Sequence, residues 1–255
     1  MDQLVMDICK VVKESGKMLL TADRSHMGID AKEGAANFVT EYDTRVQNRL
    51  WEELSRILPQ ARFVGEEGAE TRVNLEGWCF IVDPIDGTTN FIKDYRMSCV
   101  SVGLLRDGVP EIGVVYNPYL DELFWARRGM GAYCNDKRIF VSRQPLEKGM
   151  VLFGTAPYHR ELAEKSFRMA WEYFGKALDI RRSGSAALDL CAVAAGRAEL
   201  FFELLLQPWD YAAGALLVEE AGGKITTVEG EPITFHKPCS ILAGNMRSLD
   251  MFDVL

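Results

Sequence analysis

The stretch WCFIVDPIDGTTN, residues 78–90, places two aspartates directly after a run of apolar residues, and this pattern predicts a buried strand that ends at Asp83. Pro84 fixes its own backbone angle and removes an N–H donor, so a bend is expected before Asp86. The bend can bring both carboxylates and the Ile85 carbonyl onto one cation. Hard oxygen ligands of this kind favour Mg²⁺, Mn²⁺ or Ca²⁺ over softer metals.

The residues behind the aspartates carry signals for anion binding. Gly87 permits an unusual backbone conformation and the close approach of a ligand. Thr88, Thr89 and Asn90 favour a helix start, whose free N–H groups can hold an anion. Metal and phosphate can therefore share one turn, although a turn with solvated aspartates also explains these residues taken alone.

Other signatures fit the sequence less well. An EF-hand loop requires oxygen ligands at positions 1, 3 and 5, whereas Pro84 and Ile85 occupy positions 2 and 3 here. The D-x-D-G-T turn of aspartyl-phosphate phosphatases has one residue fewer between its aspartates. The histidines have no zinc-hydrolase spacing, and the chain has no G-x-S-x-G elbow.

Composition narrows the class of protein. The 255 residues suffice for one large domain or two closely packed halves. A formal net charge of -8 argues against a nucleic-acid surface. The six cysteines form no C-x-x-C pair, which indicates reduced thiols. The N-terminal residues lack the basic region of a signal peptide and no apolar run approaches the ~20 residues of a membrane span, so we expect a cytoplasmic protein without membrane contact.

The hydrophobic pattern predicts an α+β half followed by an α/β half. Two amphipathic helices, over 4–20 and 44–58, open the chain, and short apolar runs from 78 to 141 predict a meander of strands. Beyond about residue 145, helices and strands alternate. We expect helices near 161–174, 185–196 and 210–221, strands at 199–206, 224–228 and 239–244, and a last helix capped by Asn245.

Ordered motifs along the chain resemble the inositol monophosphatase family, the lithium-sensitive, Mg²⁺-dependent phosphatases. The first signature is residues 78–90, and PWDYAAGALLVEEAGG at 208–223 resembles the second. FVTEYD at 38–43 and FVGEEG at 63–68 precede them in the right order. RRSGSAALDL at 181–190 extends the resemblance over nearly the whole chain.

The resemblance implies a fold and an assembly. The fold is a layered α-β-α-β-α sandwich, with an antiparallel-sheet N-terminal half and an α/β C-terminal half. Residues 1–145 would carry most metal ligands, and residues 146–255 would carry Asp210 and the contacts to the substrate alcohol. A homodimer, and inhibition by Li⁺ competing at the second metal position, are also implied.

By the same resemblance, two or three Mg²⁺ ions bind between carboxylates. Glu66, Asp83 and the Ile85 carbonyl would hold the first ion. Asp83, Asp86 and Asp210 would hold the second, and Glu66 with waters would hold a third, weaker one. These carboxylates would repel one another and a phosphate dianion, which is the physical reason that divalent ions are required.

Catalytic and substrate-binding residues follow from the resemblance as well. Thr88 with Glu66 would orient and deprotonate the attacking water, and Asp43 would position Thr88. The amides of Gly87 and Thr88 would bind phosphate. The residues expected to contact the substrate are Asp86, Gly184, Ser185, Ala186, Glu203 and Asp210.

Two further residues are weaker candidates. Glu67 follows the expected ligand Glu66 and can support it from behind or be simply solvated. Lys32 precedes the FVTEYD motif and can touch phosphate or metal-bound water, but most lone lysines are solvated.

The rim of the expected alcohol pocket departs from the family pattern. Asn37 stands where many relatives have Asp, Leu205 stands where relatives often have Gly, and FGTAPYHRE at 153–161 replaces a Gly-Phe-Pro-like stretch. We therefore expect a Mg²⁺-dependent phosphomonoesterase acting on inositol monophosphate. Histidinol phosphate, fructose 1,6-bisphosphate and a 3′-phosphonucleotide are alternative substrates, and a regulatory or interaction protein on the same fold is the alternative function.

Overall fold

The computed structural model describes residues 2–32, 38–68 and 74–251. Seven α-helices lie within them: α1 (Gln3–Leu20), α2 (Glu41–Ile57), α3 (Thr88–Ile92), α4 (Ala163–Phe174), α5 (Ala186–Ala194), α6 (Pro208–Glu220) and α7 (Met246–Leu249). The 14 strands are β1 (Asp30–Ala31), β2 (Phe38–Val39), β3 (Arg62–Gly65), β4 (Trp78–Asp86), β5 (Cys99–Arg106), β6 (Val109–Asn117), β7 (Glu122–Arg127), β8 (Gly131–Cys134), β9 (Lys137–Ile139), β10 (Met150–Phe153), β11 (Asp179–Arg181), β12 (Leu200–Leu206), β13 (Lys224–Thr226) and β14 (Cys239–Gly244).

Helices and sheets stack in five layers. The larger sheet has the order β3-β4-β5-β6-β7-β8-β9 and is antiparallel except between β3 and β4, and the smaller, mixed sheet has the order β11-β10-β12-β14-β13. α1 and α2 cover the outer face of the larger sheet, α5 and α6 lie between the sheets, and α4 covers the outer face of the smaller one. The predicted α-β-α-β-α sandwich is confirmed. The boundary between residues 145 and 146 stays a prediction.

The apolar run of β4 is continuous because both of its faces are covered. Side chains alternate across a strand. Phe80 and Val82 pack with α1 and α2, whereas Cys79 and Ile81 pack with α5 and α6. The strand therefore runs through the centre of the molecule, and its polar end lies beside helices from both halves of the sequence.

Two glycines allow α6 to lie directly on the larger sheet. Gly103 of β5 pairs with Gly113 of β6. A Cβ on Gly113 would lie 2.6 Å from the Ala213 carbonyl oxygen, and one on Gly103 would lie 2.9 Å from the Ala212 Cβ. Larger residues would push the helix away, and its first turn would then move away from the end of β4.

The predicted end of the central strand at Asp83 is wrong, because β4 continues to Asp86. Asp83 is opposite Ser101 and Asp86 is opposite Cys99 on β5. Between these two pairs β4 advances by three residues while β5 advances by two. Proline has no N–H for the ladder, and a bulge absorbs the extra residue. The bulge takes the place of the expected bend.

The remaining differences concern short elements. The run RIFVS at 138–142 forms a strand only up to Ile139, and the helix after Asn245 has a single turn. The short strands β1, β2, β3, β8, β10 and β11 are not apparent from sequence pattern. All six cysteines are free thiols. None of the helices in the described part of the chain has the length and hydrophobicity that a bilayer crossing requires.

Candidate active site

Three aspartates form a compact cluster where β4 ends and α6 begins. One carboxylate oxygen from each of Asp83, Asp86 and Asp210 lies within 4.8 Å of the others. The bulge in β4 supplies the first two, and the first turn of α6 supplies the third. Carboxylate oxygens at this spacing can be bridged by hard divalent cations.

Asp86 is held by α5 from the other half of the sequence. Its Oδ2 accepts hydrogen bonds from the Ser185 hydroxyl at 2.6 Å and from the Ala187 N–H at 2.7 Å. Ser185 is the N-cap of α5 and also accepts from the Leu188 N–H. The helix start thus orients the Asp86 carboxylate.

Local hydrogen bonds orient the other two aspartates. Asp83 Oδ1 accepts from the Ile85 N–H at 3.0 Å, within the bulge. Asp210 Oδ2 accepts from the Gln207 N–H at 2.7 Å, closing a capping box at the start of α6. Short-range hydrogen bonds therefore orient Asp83 and Asp210, whereas α5 orients Asp86.

Because these carboxylates are buried, ionising all of them costs free energy unless a counter-charge is present. Burial raises the pKa of Asp86 to about 6 and that of Glu66 to about 7. Burial, followed by repulsion from neighbouring carboxylates, raises the pKa of Asp83 and of Asp210 well above the usual value. A divalent cation allows all of them to ionise together, and this all-oxygen donor set fits Mg²⁺.

Glu66 lines the same cavity but is engaged by a lysine. Lys32 Nζ lies 2.9 Å from Glu66 Oε1 and 2.5 Å from Glu67 Oε1. Burial alone would lower the lysine pKa, but the two glutamates raise it to about 12. Gln47 fixes the Glu67 backbone through its amide group, at 2.8 and 2.9 Å. Glu66 lies outside the 4.8 Å aspartate cluster in the described residues.

Thr88 is linked to a buried acid behind the cluster. Its hydroxyl lies 3.3 Å from Asp43 Oδ1 and 3.1 Å from the Ile85 carbonyl oxygen. Asp43 Oδ2 accepts from the Thr40 N–H at 2.7 Å and from the Thr40 hydroxyl at 2.6 Å, in the capping box of α2. Burial raises the pKa of Asp43. The helix cap therefore presents one oxygen of Asp43 to Thr88.

The turn between Asp86 and α3 requires glycine. Gly87 has φ +87°, and a Cβ there would lie 2.8 Å from the Met97 carbonyl oxygen. Asn90 Nδ2 ties the turn to its surroundings by donating to the carbonyls of Met97 at 2.7 Å and Ser183 at 2.9 Å. The side chain of Asn90 thus fixes the loop before α5 to the Gly87 turn.

Glu203 on β12 holds the loop at 154–158. Its Oε1 accepts from the Ala156 N–H at 2.8 Å, and burial raises its pKa to about 7. Ala156 has φ +42°, a conformation that alanine rarely adopts. A Cβ built on Gly154 would overlap the Glu203 carboxylate. The Glu203 carboxylate therefore occupies the space that a side chain at position 154 would need, and its hydrogen bond stabilises a strained loop.

One cleft joins these groups. Two adjoining cavities of about 200 Å³ and about 460 Å³ share several lining residues, among them Asp86, Glu203 and Asp210. The predicted site residues that line the cleft are Lys32, Glu66, Asp83, Ile85, Asp86, Gly87, Thr88, Gly184, Ser185, Ala186, Glu203 and Asp210. Asp43 and Glu67 stand behind it. Leu205 lines the smaller cavity, and Asn37 lies outside the described residues.

Sequence reasoning missed the groups of the outer cleft. Tyr158, Phe167, Arg160 and Arg182 line the larger cavity. Tyr158 and Arg160 fall in the 153–161 stretch that departs from the family pattern, which was the only signal for them. Nothing local in the sequence indicates that Arg182 and Phe167 face the same space.

Comparison with known proteins identifies the relatives. The sequence model of the inositol monophosphatase family matches residues 1–252. The chain is 35% identical over 237 residues to the inositol-1-monophosphatase of Bacillus subtilis (strain 168), covering 92% of this chain and 89% of that protein. It is 35% identical over 240 residues to the Nus factor SuhB of Escherichia coli (strain K12), covering 93% and 90%. Among solved structures, the extragenic suppressor protein SuhB of Bartonella henselae is similar with a TM-score of 0.87 and 36% identity, over 95% of this chain and 94% of that one.

Proposed function

This chain belongs to the inositol monophosphatase family, and we propose that it is a Mg²⁺-dependent phosphomonoesterase that hydrolyses inositol monophosphate to inositol and phosphate. The observation that carries the proposal is the cluster of Asp83, Asp86 and Asp210 beside the Thr88–Asp43 pair. The name of the Bacillus subtilis relative, inositol-1-monophosphatase, supports the choice of substrate.

The residues that would hold two or three Mg²⁺ ions are Glu66, Asp83, Asp86, Asp210 and the carbonyl of Ile85. When bound, Mg²⁺ supplies Lewis-acid charge for the phosphate oxygens and for the attacking water. The chain contributes carboxylates that are already oriented by capping and bulge hydrogen bonds. Little side-chain entropy is then lost when ions bind.

Thr88 and Glu66 orient and deprotonate the attacking water, and Asp43 positions Thr88. The Thr88 hydroxyl donates to Asp43 Oδ1 or to the Ile85 carbonyl, so its oxygen is free to accept a hydrogen bond from a water in the cleft and to orient that water. Glu66, which lines the same cleft, can take a proton from that water. Direct attack by water requires no covalent intermediate with the chain.

The two ends of the substrate face different parts of the cleft. The amides of Gly87 and Thr88 bind the phosphate, because the positive φ of Gly87 turns the chain sharply at this point. Gly184, Ser185, Ala186 and Glu203 line the side that receives the alcohol.

The proposal is tested by phosphate release from a panel of esters across a Mg²⁺ titration. The panel contains myo-inositol 1-phosphate, histidinol phosphate, fructose 1,6-bisphosphate and a 3′-phosphonucleotide. We expect metal-dependent turnover of myo-inositol 1-phosphate on the order of 1–10³ s⁻¹. A clear preference for another ester would contradict the inositol assignment, and no turnover of any ester would contradict the phosphatase.

A matched pair of variants tests the role of Thr88. Thr88→Ala should lower kcat by about 10²–10⁴-fold, the range for losing a group that handles a proton. Thr89→Ala removes the same atoms from an exposed neighbour and should retain activity. Equal loss in both variants would indicate damage to α3 rather than a catalytic role.

A second candidate function is regulatory. The Escherichia coli relative is named a Nus factor, and it is as similar to this chain as the Bacillus subtilis relative is. A partner-binding role predicts that Thr88→Ala, inactive on every ester, still replaces the wild-type protein in cells. Loss of cellular function together with hydrolysis would favour the enzyme.

Three further properties belong to this proposal. We propose a homodimer, tested by light scattering coupled to gel filtration, and inhibition by Li⁺ competing at the Asp83–Asp86–Asp210 cluster. Li⁺ inhibition that Asp210→Asn leaves unchanged would contradict that location. Cytoplasmic location is proposed as well and is tested by cell fractionation.

A further inference from the structure

Helix α4 carries an exposed aromatic stripe, which consists of Phe167, Trp171 and Phe174. The exposed fractions of these residues are 56%, 76% and 53%. Residues at i, i+4 and i+7 lie on one face of a helix, so the three side chains form one continuous strip about 10 Å long. Contiguous apolar surfaces of this kind mark places where a ligand or a partner binds.

The first residue of the aromatic stripe is also part of the candidate active site. Phe167 lines the larger cavity of the cleft, together with Asp86 and Asp210. Its ring makes an edge-to-face contact with Phe153, with the ring centroids 6.2 Å apart and the ring planes at 74°. Trp171 does not line this cavity, so the stripe begins in the cleft and extends beyond it along α4.

Apolar residues of the same chain segment line the cavity with Phe167. They are Pro157, Tyr158 and Ala163. The aspartates and the Gly87 turn, by contrast, come from the end of β4 and the start of α6. The cleft therefore combines polar groups that suit a phosphate with apolar groups that suit a carbon chain.

The aromatic stripe differs from the other exposed tryptophan of similar setting. Trp51 on α2 is 53% exposed, but the residues one turn before and after it are the polar Gln47 and Ser55. Single exposed aromatic residues of this kind are normal. Beside the stripe, Glu164 and Arg168 pair with each other at 2.5 Å. The stripe is therefore a continuous apolar surface, whereas Trp51 is isolated.

A second copy of the chain and a membrane surface are the alternative occupants of this face. Three aromatic side chains of about 150–250 Å² each, partly buried already, offer less than the ~800 Å² per partner of a stable interface. A helix that lies on an anionic bilayer has an excess of Lys and Arg, whereas the charges of Glu164 and Arg168 beside the stripe cancel. Continuity with the cleft through Phe167 favours the substrate.

We propose that the aromatic stripe binds an alkyl or acyl chain on the alcohol part of the substrate, so that the cleft accepts phosphate monoesters of acylated alcohols as well as polyol monophosphates. The inference rests on the proposed function, since the phosphate is the group that lies at the aspartate cluster. The reaction is the same hydrolysis: the oxygen of water bonds to phosphorus, the bond from phosphorus to the alcohol oxygen breaks, and a proton of the water passes to that oxygen. A chain is expected, and not a single ring, because the stripe is about 10 Å long.

Two esters that differ only in the length of the acyl chain test the inference. They are the 1-butanoyl and 1-octanoyl derivatives of glycerol 3-phosphate, used below the concentrations at which they form micelles. A methylene that is about half buried on the open helix face should contribute about twofold, so the wild-type kcat/KM should be about tenfold higher for the octanoyl ester. Trp171→Ala should lower this ratio by about threefold or more, and Phe167→Leu should keep more of it than Phe167→Ala.

Trp51→Ala and Phe140→Ala are the matched controls and should leave the ratio within about twofold of wild type. Phe140 is 58% exposed and lines a separate cavity. The inference is overturned by a wild-type ratio near one, by equal loss on both esters in Trp171→Ala, or by an equal effect of Trp51→Ala. Circular dichroism checks that each variant is folded.

Two other results would identify a different occupant and overturn the inference. In the first, Trp171→Ala changes the oligomeric state in light scattering while the ester ratio stays at the wild-type value, which would assign the stripe to a subunit interface. In the second, the wild type sediments with phosphatidylglycerol vesicles, Trp171→Ala does not, and the ester ratio is again unchanged, which would assign the stripe to a membrane surface.

Failure of the proposed function gives a different result. If the wild type hydrolyses neither these esters nor any ester of the phosphate-release panel, the phosphatase is wrong, and calorimetry with the two intact acyl esters decides the inference. The octanoyl ester must then bind more tightly than the butanoyl ester, and Trp171→Ala must reduce this difference. Equal binding of the two esters, or wild-type binding of neither, would refute the chain-binding surface.

Discussion

The cleft has a floor, formed by the acids around Asp83, Asp86 and Asp210, and a rim, formed by Glu203, Arg182 and the loop at 154–158. The two parts are built in different ways. Most acids of the floor are held by contacts two or three residues away, such as Asp83 with Ile85 and Asp210 with Gln207, and Asp86 alone of the three aspartates is held by α5. The rim is made of contacts between distant segments, such as Glu203 with Ala156 and Arg182 with Thr155. The floor follows from short motifs, whereas the rim depends on the packing of the whole C-terminal half.

This difference suggests that the floor and the rim have separate functions. A floor held mainly by local turns keeps most of its geometry when distant packing changes, which suits chemistry that every phosphate ester shares. A rim of long-range contacts can change with a few substitutions and can select the alcohol. Variants of the floor should therefore abolish turnover, and variants of the rim should change substrate preference.

The largest expected effect is on the floor. Asp86→Asn should lower turnover by at least about 10²–10³-fold, the loss for one electrostatic contact to the transition state, because it removes a charge from the cation site. The variant should be folded, and in EDTA at pH 8 it should be at least as stable as wild type, since repulsion is relieved. Phosphate release and thermal unfolding measure the two effects.

Glu199→Gln is the control for Asp86→Asn. Glu199 is also buried and accepts a backbone hydrogen bond, from Met150 at 2.6 Å, but it does not line the cleft. Its amide variant should keep wild-type turnover. Normal phosphatase activity in Asp86→Asn would contradict the assignment of the floor.

A smaller effect is expected from the rim. Gly154→Ala places a Cβ on the Glu203 carboxylate, so the loop at 154–158 must shift. We expect kcat/KM to fall by about tenfold, mainly through KM, while Mg²⁺ affinity is unchanged. Gly175→Ala is the control, because its Cβ would meet only the Glu172 carbonyl at 3.5 Å. A loss of Mg²⁺ binding in Gly154→Ala would show that floor and rim are not separable.

The stability of the protein in EDTA should fall as pH rises from about 4.5 to about 7. Burial raises the pKa of Glu66 and of Glu203 to about 7 from a usual 4.5. In this window the folded chain holds protons that the unfolded chain has released, so each increase in pH favours unfolding. Thermal unfolding between pH 4.5 and 8 measures the trend. Added Mg²⁺ should reverse it, and stability that rises with pH in EDTA would contradict the account.

The smallest expected effect concerns Lys32. Lys32→Gln removes a cation that pairs with Glu66, and it also makes the cleft more negative. Both changes favour a divalent ion, so the Mg²⁺ dissociation constant should fall by about two- to fivefold in calorimetry. Lys165→Gln, on α4, is the control. Weaker Mg²⁺ binding in Lys32→Gln would show that the lysine supports the metal instead of competing with it.

Much of the floor could be predicted from sequence because its signals are local. The apolar run with two aspartates predicted both the central strand and the acids at its end. The family resemblance gave the layered fold and brought Asp210 to the same place, and the structure joins these three carboxylates. Their roles as metal ligands stay predictions until ions are bound.

The rest could not be predicted, for physical reasons. The bulge at Pro84 depends on pairing with β5, which the sequence of β4 does not contain. The positive φ of Ala156 is imposed by Glu203, from a strand about fifty residues later, and alanine itself does not favour it. Arg182 resembles its neighbour Arg181 in sequence, and only the folded chain separates the two.

The most direct test of the central claim is the binding of inorganic phosphate, measured by calorimetry with and without Mg²⁺. If the acids form a metal site beneath the phosphate, Mg²⁺ should tighten phosphate binding by about 10–100-fold. Asp86→Asn should abolish this effect of Mg²⁺ on phosphate affinity. Equal phosphate binding with and without Mg²⁺ would contradict the claim, because the acidic floor would then not act through a metal ion.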